Sequence, residues 1–123
     1  LVPRAKSCFQ LMGAGSVGSQ ALLGIAHLQG LRDRFGDAVA VAPFEPPEAP
    51  LVLVECYPGL FADTIAARSR PDEIPDRAQV RILAHALSRV PAARLDVLLR
   101  EGDPVEGWIL GHGAEAEIAA ALP

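Results

Sequence analysis

The sequence has few cysteines, no surplus of positive charge and no long apolar run. Its 123 residues include two cysteines, Cys8 and Cys56, which are too few for a disulfide framework and too far apart for a C-x-x-C motif. This cysteine usage indicates a reducing, cytoplasmic environment. The formal net charge of -4 argues against a broad nucleic-acid-binding face, because such faces carry clustered basic residues. One local group of arginines is mixed with acids and is interpreted as solvated surface: Arg68, Arg70, Arg77 and Arg81.

Signals for membrane insertion and secretion are absent as well. No apolar run approaches the ~18 residues that indicate a transmembrane helix. The first residues lack the charged, apolar and small-residue pattern of a secretion signal. We therefore expect no membrane partner. The length and the 50% hydrophobic content fit a globular protein with its own core, so residues 1–123 are predicted to form a single domain.

Turn residues divide the chain into segments with recognisable periodicity. Apolar residues recur at helical spacing from Ser16 to Phe35, and Gly36 would end that helix. Two short apolar segments, Ala38–Phe44 and Leu51–Cys56, are predicted strands, the second of them buried. The remainder is predicted to be mainly helical. Helices are expected at Leu60–Arg68, from Asp76 to Pro91, from Pro91 to Gly102 and at Ala114–Leu122.

This order of elements predicts an α/β fold in which a small sheet is flanked by helices. In the helix that begins at Asp76, Val80, Leu83 and Leu87 form one apolar stripe, which Ile82 and Ala86 widen, and this stripe is expected to face the core. In the helix after Pro91, the side chains expected to face inward are Leu95, Leu98 and Leu99. Two or three strands make a thin sheet with an exposed edge. We therefore expect the chain to form a homodimer or to cover that edge with its own N-terminal residues.

A glycine-rich segment, residues 13–18, reads Gly-Ala-Gly-Ser-Val-Gly and has the G-x-G-x-x-G spacing of a dinucleotide-binding turn. In that interpretation Gly13, Gly15, Ser16 and Gly18 would contact the phosphates of a nucleotide. The acid that binds the ribose should follow about twenty residues on, but Glu45 comes later than that. We therefore expect no NAD binding. The motif is open to two readings, a nucleotide-binding site and a purely structural turn.

Several segments in combination resemble a bacterial protein family. They are Ala5–Gln20, Val41–Glu45, Leu53–Pro58, Asp76–Arg81 and Glu106–Gly111. The family is often labelled molybdopterin-guanine dinucleotide synthesis protein, and it is related to predicted nucleases with an RNase H-like fold. The resemblance covers nearly all of the chain but only the C-terminal half of the family. It implies that the chain is a fragment of a larger RNase H-like domain or a separate C-terminal domain, with the missing N-terminal half as a partner.

The resemblance also implies a metal site. An RNase H-like site gathers carboxylates from separate elements so that two metal ions can hold a phosphodiester. Glu55 is the best candidate, because it ends an apolar strand, where a charge needs a partner or a purpose. Asp76, at the start of a helix, is the second. Both are candidate catalytic residues and ligands of Mg²⁺ or Mn²⁺. Their structural alternatives are an ion pair or helix cap for Glu55 and a favourable interaction with the helix dipole for Asp76.

Three functions remain open at the level of the sequence. The first is a metal-dependent phosphodiester or phosphoryl-transfer enzyme acting on a nucleic acid or nucleotide, in which this chain alone would be inactive. The second is a nucleotide- or dinucleotide-binding domain that uses residues 13–18. The third is a non-catalytic assembly domain. The position of Glu55 relative to Asp76 is the observation that would best separate them.

Overall fold

The computed structural model describes residues 9–13 and 16–122. Its elements in chain order are α1 (Gly18–Phe35), β1 (Val39–Val41), β2 (Leu51–Leu53), α2 (Ala62–Arg68), α3 (Pro75–Leu87), α4 (Ala92–Arg100) and α5 (Glu115–Ala120). Short 3-10 turns, Gly36–Ala38 and Pro58–Phe61, precede β1 and α2. The fold is mainly helical with a small sheet, and the predicted α/β class is confirmed in this broad sense.

The two strands form a two-stranded sheet. Their direction is parallel, and the amide of Ala42, directly after β1, donates a hydrogen bond of 2.9 Å to the carbonyl of Leu53, the last residue of β2. The carboxyl ends of both strands therefore lie at the same end of the sheet. Among the described residues each strand has one neighbour, so both are edge strands. The expected homodimer stays a prediction.

Both strands are shorter than the sequence predicted. β1 stops at Val41 because the chain turns there, and Pro43 has no amide hydrogen to donate to a sheet. Two hydrogen bonds between Glu45 and Val41 close the turn. The backbone amide of Glu45 donates to the carbonyl of Val41, and the backbone amide of Val41 donates to the carboxylate of Glu45, each at 2.9 Å. β2 is not a buried strand: Leu51 is exposed and the other two residues are partly buried. A short apolar run does not reveal how many neighbours will cover it.

The helices follow the predicted periodicity more closely. α1 is continuous from Gly18 to Phe35, and Gly36 ends it as predicted. α4 directs Leu98 into the core, with Leu95 and Leu99 partly buried against it. These positions are the ones that helical spacing predicted.

The core of the protein lies among α2 to α5. Its largest fully buried side chains are Ile82 on α3, Leu98 on α4 and Ile118 on α5. The other described members of this buried cluster are Phe61, Ile65, Ala78, Leu83, Ala86, Val90, Leu110, Ala114 and Leu122.

One predicted core position is wrong. Val80 is 71% exposed, whereas Ala78, Ile82 and Ala86 form the buried row of α3. These three residues are four apart and share one face, and Val80 lies half a turn away from Ile82, on the opposite face of the helix.

The chain divides into two compact units. The first unit contains the residues up to Val39, including α1, together with Ala49–Leu51. The second unit contains Ala40–Glu48 and the residues from Val52 onward, and it includes the core and the candidate carboxylates. The expectation of a single domain over residues 1–123, or of a fragment of a larger one, stays a prediction.

Candidate functional site

Glu55 lies two residues after β2, at the end of the sheet where the carboxyl ends of both strands lie. Its backbone carbonyl accepts a hydrogen bond of 2.9 Å from the amide of Leu110, which ties the end of the strand to the loop after α4. The residue is exposed, and its carboxylate forms no hydrogen bond or ion pair with any described residue. Within residues 9–13 and 16–122, Glu55 therefore forms neither the ion pair nor the helix cap that were its structural alternatives.

The neighbouring Cys56 is a free cysteine. Cys56 is exposed, but partial desolvation of its thiol, together with the negative charge of the Glu55 carboxylate, raises the pKa of Cys56. A raised pKa reduces the thiolate fraction at neutral pH, and the thiolate is the nucleophilic form of cysteine.

Asp76 is the second residue of α3 and is exposed. No side chain caps this helix at Ile74, and Asp76 is the acid of its first turn. A negative charge there interacts favourably with the helix dipole, which is the structural role that the sequence allowed. The described residues form no group of three or more His, Cys, Asp or Glu placed to hold a metal ion. A shared site of Asp76 and Glu55 stays a prediction.

Two further acids, Glu45 and Asp63, have local positions in the fold. The carboxylate of Glu45 closes the turn after β1 through the amide of Val41. Asp63 lies exposed in the first turn of α2, in the same kind of position as Asp76. Neither of these carboxylates is hydrogen-bonded to Glu55.

The glycine-rich segment leads into α1. The amide of Gly18 donates to the carbonyl of Gln10 at 3.0 Å, and the amide of Ser16 donates to the carbonyl of Gly13 at 3.1 Å. Two amides of the predicted phosphate-binding residues are thus used inside the turn, and Gly15 lies outside the described residues. Residues 9–13 form no strand, whereas a dinucleotide-binding turn follows one. These contacts favour the structural reading of the motif.

A feature that sequence reasoning missed is an open pocket of about 350 Å³ in the second unit. The turn after β1 supplies three prolines, Phe44 and Glu45, and the end of α4 supplies Leu99 and Arg100. The Arg100 guanidinium also binds Glu48, from which it is 52 positions distant in the chain. The run of prolines around Phe44 is the one feature of the sequence that relates to this pocket, and prolines by themselves indicate only a loop.

Comparisons with protein-family models, with curated proteins and with solved structures give no match for this chain. The family resemblance of the sequence therefore stays an expectation. None of the described helices combines the length and the apolar character that crossing a bilayer requires.

Proposed function

We propose that this chain contributes Glu55 to a metal-dependent phosphodiester or phosphoryl-transfer site of RNase H-like type. The observation that carries the proposal is the exposed carboxylate of Glu55, which has no partner among the described residues and follows the end of a parallel strand. In open sheets of parallel strands, ligands bind beyond the carboxyl ends of the strands. Glu55 thus lies where such a sheet receives a ligand.

The proposed site needs more carboxylates than Glu55. Mg²⁺ prefers near-octahedral coordination by oxygen, and a two-metal site holds the attacking and the leaving oxygens of a phosphodiester between its ions. Asp76 is the second proposed ligand. The remaining carboxylates are proposed to come from the N-terminal half that the family resemblance implies. The chain alone is then inactive and binds Mg²⁺ or Mn²⁺ weakly, because one or two carboxylates leave most metal positions to water.

Paramagnetic broadening by Mn²⁺ tests the role of Glu55 in the chain itself. In a ¹⁵N-labelled sample, substoichiometric Mn²⁺ is expected to broaden the amide signals of Glu55, Cys56 and Leu110 first, because Leu110 is hydrogen-bonded to Glu55. Glu55→Gln should remove this broadening. Asp63→Asn is the matched control, since it neutralises another exposed acid and should leave the broadening unchanged. Broadening that persists in Glu55→Gln would contradict the proposal.

The activity test uses the longer protein that contains both halves. Single-stranded and structured nucleic acids are incubated with that protein and Mn²⁺ or Mg²⁺, with and without EDTA. We expect metal-dependent cleavage that falls by orders of magnitude in Glu55→Gln while the circular dichroism spectrum stays unchanged. Full activity in Glu55→Gln, or cleavage that is indifferent to EDTA, would rule out the role of Glu55.

A further inference from the structure

The pocket beside the turn after β1 is a separate feature of the second unit, and its walls do not include Glu55. Three prolines of the turn, Phe44 and Leu99 supply its apolar surface, and Glu45 and Arg100 supply polar groups. Its volume of about 350 Å³ falls within the range of roughly 300–1,000 Å³ that is typical of ligand pockets. The pocket is therefore large enough to receive side chains of another molecule.

Two aromatic side chains are held at this surface by glycines of the loop after α4. A Cβ atom added at Gly107 would lie 3.0 Å from Cζ of Phe44, and one added at Gly102 would collide with the side chain of Trp108 and lie 3.2 Å from Cγ of Pro43. Both glycines have positive φ, of +82° and +115°. The ring of Phe44 and the base of the Trp108 side chain thus lie close to glycine backbone, yet Phe44 remains 52% exposed and Trp108 42% exposed.

This arrangement has the character of a binding surface. Aromatic side chains are enriched among the residues that dominate the binding energy of protein interfaces. A side chain that is already ordered loses less conformational entropy when a partner binds. Phe44 and Trp108 are ordered by close contact with glycines and are still accessible, so they are suited to receive apolar groups.

Among the described residues, the charges around the pocket are mainly negative. Arg100 is the one cation among the described lining residues, and it donates hydrogen bonds to two carboxylates, of 2.8 Å to Glu48 and 2.9 Å to Asp96. Asp103 and Glu106 lie in the loop that packs on Pro43 and Phe44. The amides of Val105 and Glu106 donate to the Asp103 carboxylate and lower its pKa, so Asp103 is ionised at neutral pH. In the part of the chain that the structure describes, the carboxylates of this surface therefore outnumber its single guanidinium, that of Arg100.

We propose that this pocket, with the neighbouring Trp108, is a docking site for a peptide segment of a partner protein in which an apolar side chain lies next to arginine or lysine. The apolar side chain enters between the prolines, Phe44 and Leu99, and the cation faces the surrounding carboxylates. Charge complementarity selects this occupant: a nucleic acid would meet like charge here. The proposal does not depend on the role of Glu55.

Peptide selection followed by fluorescence tests the proposal. A library of eight-residue peptides displayed on phage is panned against the chain and counter-selected against Phe44→Ser. Enriched sequences are expected to place Arg or Lys within two positions of an apolar residue. A synthetic peptide of the leading sequence, without tryptophan, is then titrated into the chain. Trp108 is the single tryptophan, so a saturable change in emission reports binding beside the pocket.

Two variants separate the apolar part of the site from the charged part. Phe44→Ser should raise the Kd of that peptide about tenfold, as loss of a central aromatic contact does. Glu106→Gln should raise the Kd about two- to fivefold, with the difference lost in 500 mM NaCl. Val80→Ser is the matched control: it also makes an exposed apolar residue polar, but on α3, and should leave the Kd unchanged. Circular dichroism verifies that each variant is folded.

Several outcomes would overturn the proposal. They include enrichment of acidic or uncharged peptides, equal enrichment on Phe44→Ser, and no enrichment at all. Saturable quenching of Trp108 by a single-stranded oligonucleotide would show a nucleic-acid surface instead. A dimer in light scattering that Phe44→Ser abolishes would show that a second copy covers this face. Should Phe44→Ser fail to fold, Glu106→Gln still decides the charge requirement, because the Glu106 side chain forms no hydrogen bond or ion pair with the described residues.

Discussion

The carboxylate of Glu73 binds the guanidinium of Arg81 through both of its oxygens, with Nε of Arg81 donating to Oε1 at 2.8 Å. The same guanidinium donates to the carbonyl of Arg68 at the end of α2, at 3.0 Å. The side chain of Glu73 is almost completely covered. One bidentate pair therefore fixes the connector between α2 and α3 to the body of α3.

This pair predicts a dependence of stability on acid pH. The hydrogen bonds from Arg81, together with that from the amide of Arg70, lower the pKa of Glu73 from 4.5 to about 2. The folded state therefore favours the ionised carboxylate, and the stabilisation is complete above the unfolded pKa near 4.5. It is lost as the pH falls from there through about 2, where Glu73 becomes protonated in the folded state as well.

The measurement is urea denaturation of the protein and of Glu73→Gln between pH 2 and pH 7. The midpoint of Glu73→Gln should lie below that of the parent protein at pH 7, and the two should approach each other as the pH is lowered towards 2. A difference between the midpoints that does not change with pH would show that Glu73 acts through packing and not through its charge.

The second prediction compares two β-branched residues of α3. Ile82 is 1% exposed and Val80 is 71% exposed. Ile82→Ala removes buried methyl and methylene groups and leaves a cavity, so the free energy of unfolding should fall by about 2–5 kcal/mol. Val80→Ala removes side-chain atoms from solvent and should change it by about 0.5 kcal/mol or less. Chemical denaturation measures both, and a large loss in Val80→Ala would mean that another chain covers that face.

Helical spacing predicted much of the fold, because each helix presents its core residues at a fixed angular interval. The spacing located α1 and α4 and the buried Leu98, but it assigned Val80 to the core since a run of nearby apolar residues allows more than one buried face. The predicted length of β2 was too long because the number of residues that pair in a strand depends on the neighbouring strands, which the local sequence does not reveal. The pocket could not be predicted from the sequence for the same reason, because Phe44 and Leu99 come together only in the folded chain.

The third prediction concerns nucleotide binding by residues 13–18. The amides of Ser16 and Gly18 donate to carbonyls within the turn, whereas phosphate binding requires backbone amides that point at the ligand. NAD is therefore not expected to bind, and isothermal titration calorimetry should detect no heat of binding at millimolar NAD. Low-micromolar affinity that is lost in Gly15→Val would contradict this prediction and restore the dinucleotide-binding hypothesis.

The last prediction separates a carboxylate that serves chemistry from one that serves stability. The carboxylate of Glu55 has no hydrogen bond or ion pair in the described part of the chain, so Glu55→Gln should change the free energy of unfolding by about 0.5 kcal/mol or less. Asp76 lies in the first turn of α3, and Asp76→Asn removes a charge that interacts with the helix dipole, at a cost of about 0.3–1 kcal/mol. Because salt screens that interaction, the cost should shrink in 1 M NaCl.

Urea denaturation at low and high salt measures both variants, with Asp63→Asn as the control for a first-turn acid on another helix. Equal stability of Glu55→Gln and the parent protein would show that this carboxylate does not contribute to the stability of the fold, as the metal-site proposal requires. A salt-sensitive loss in Asp76→Asn that matches the loss in Asp63→Asn would assign Asp76 to the stability of α3. Substantial destabilisation by Glu55→Gln would show instead that this carboxylate is part of the fold, and the metal-site proposal would lose its main support.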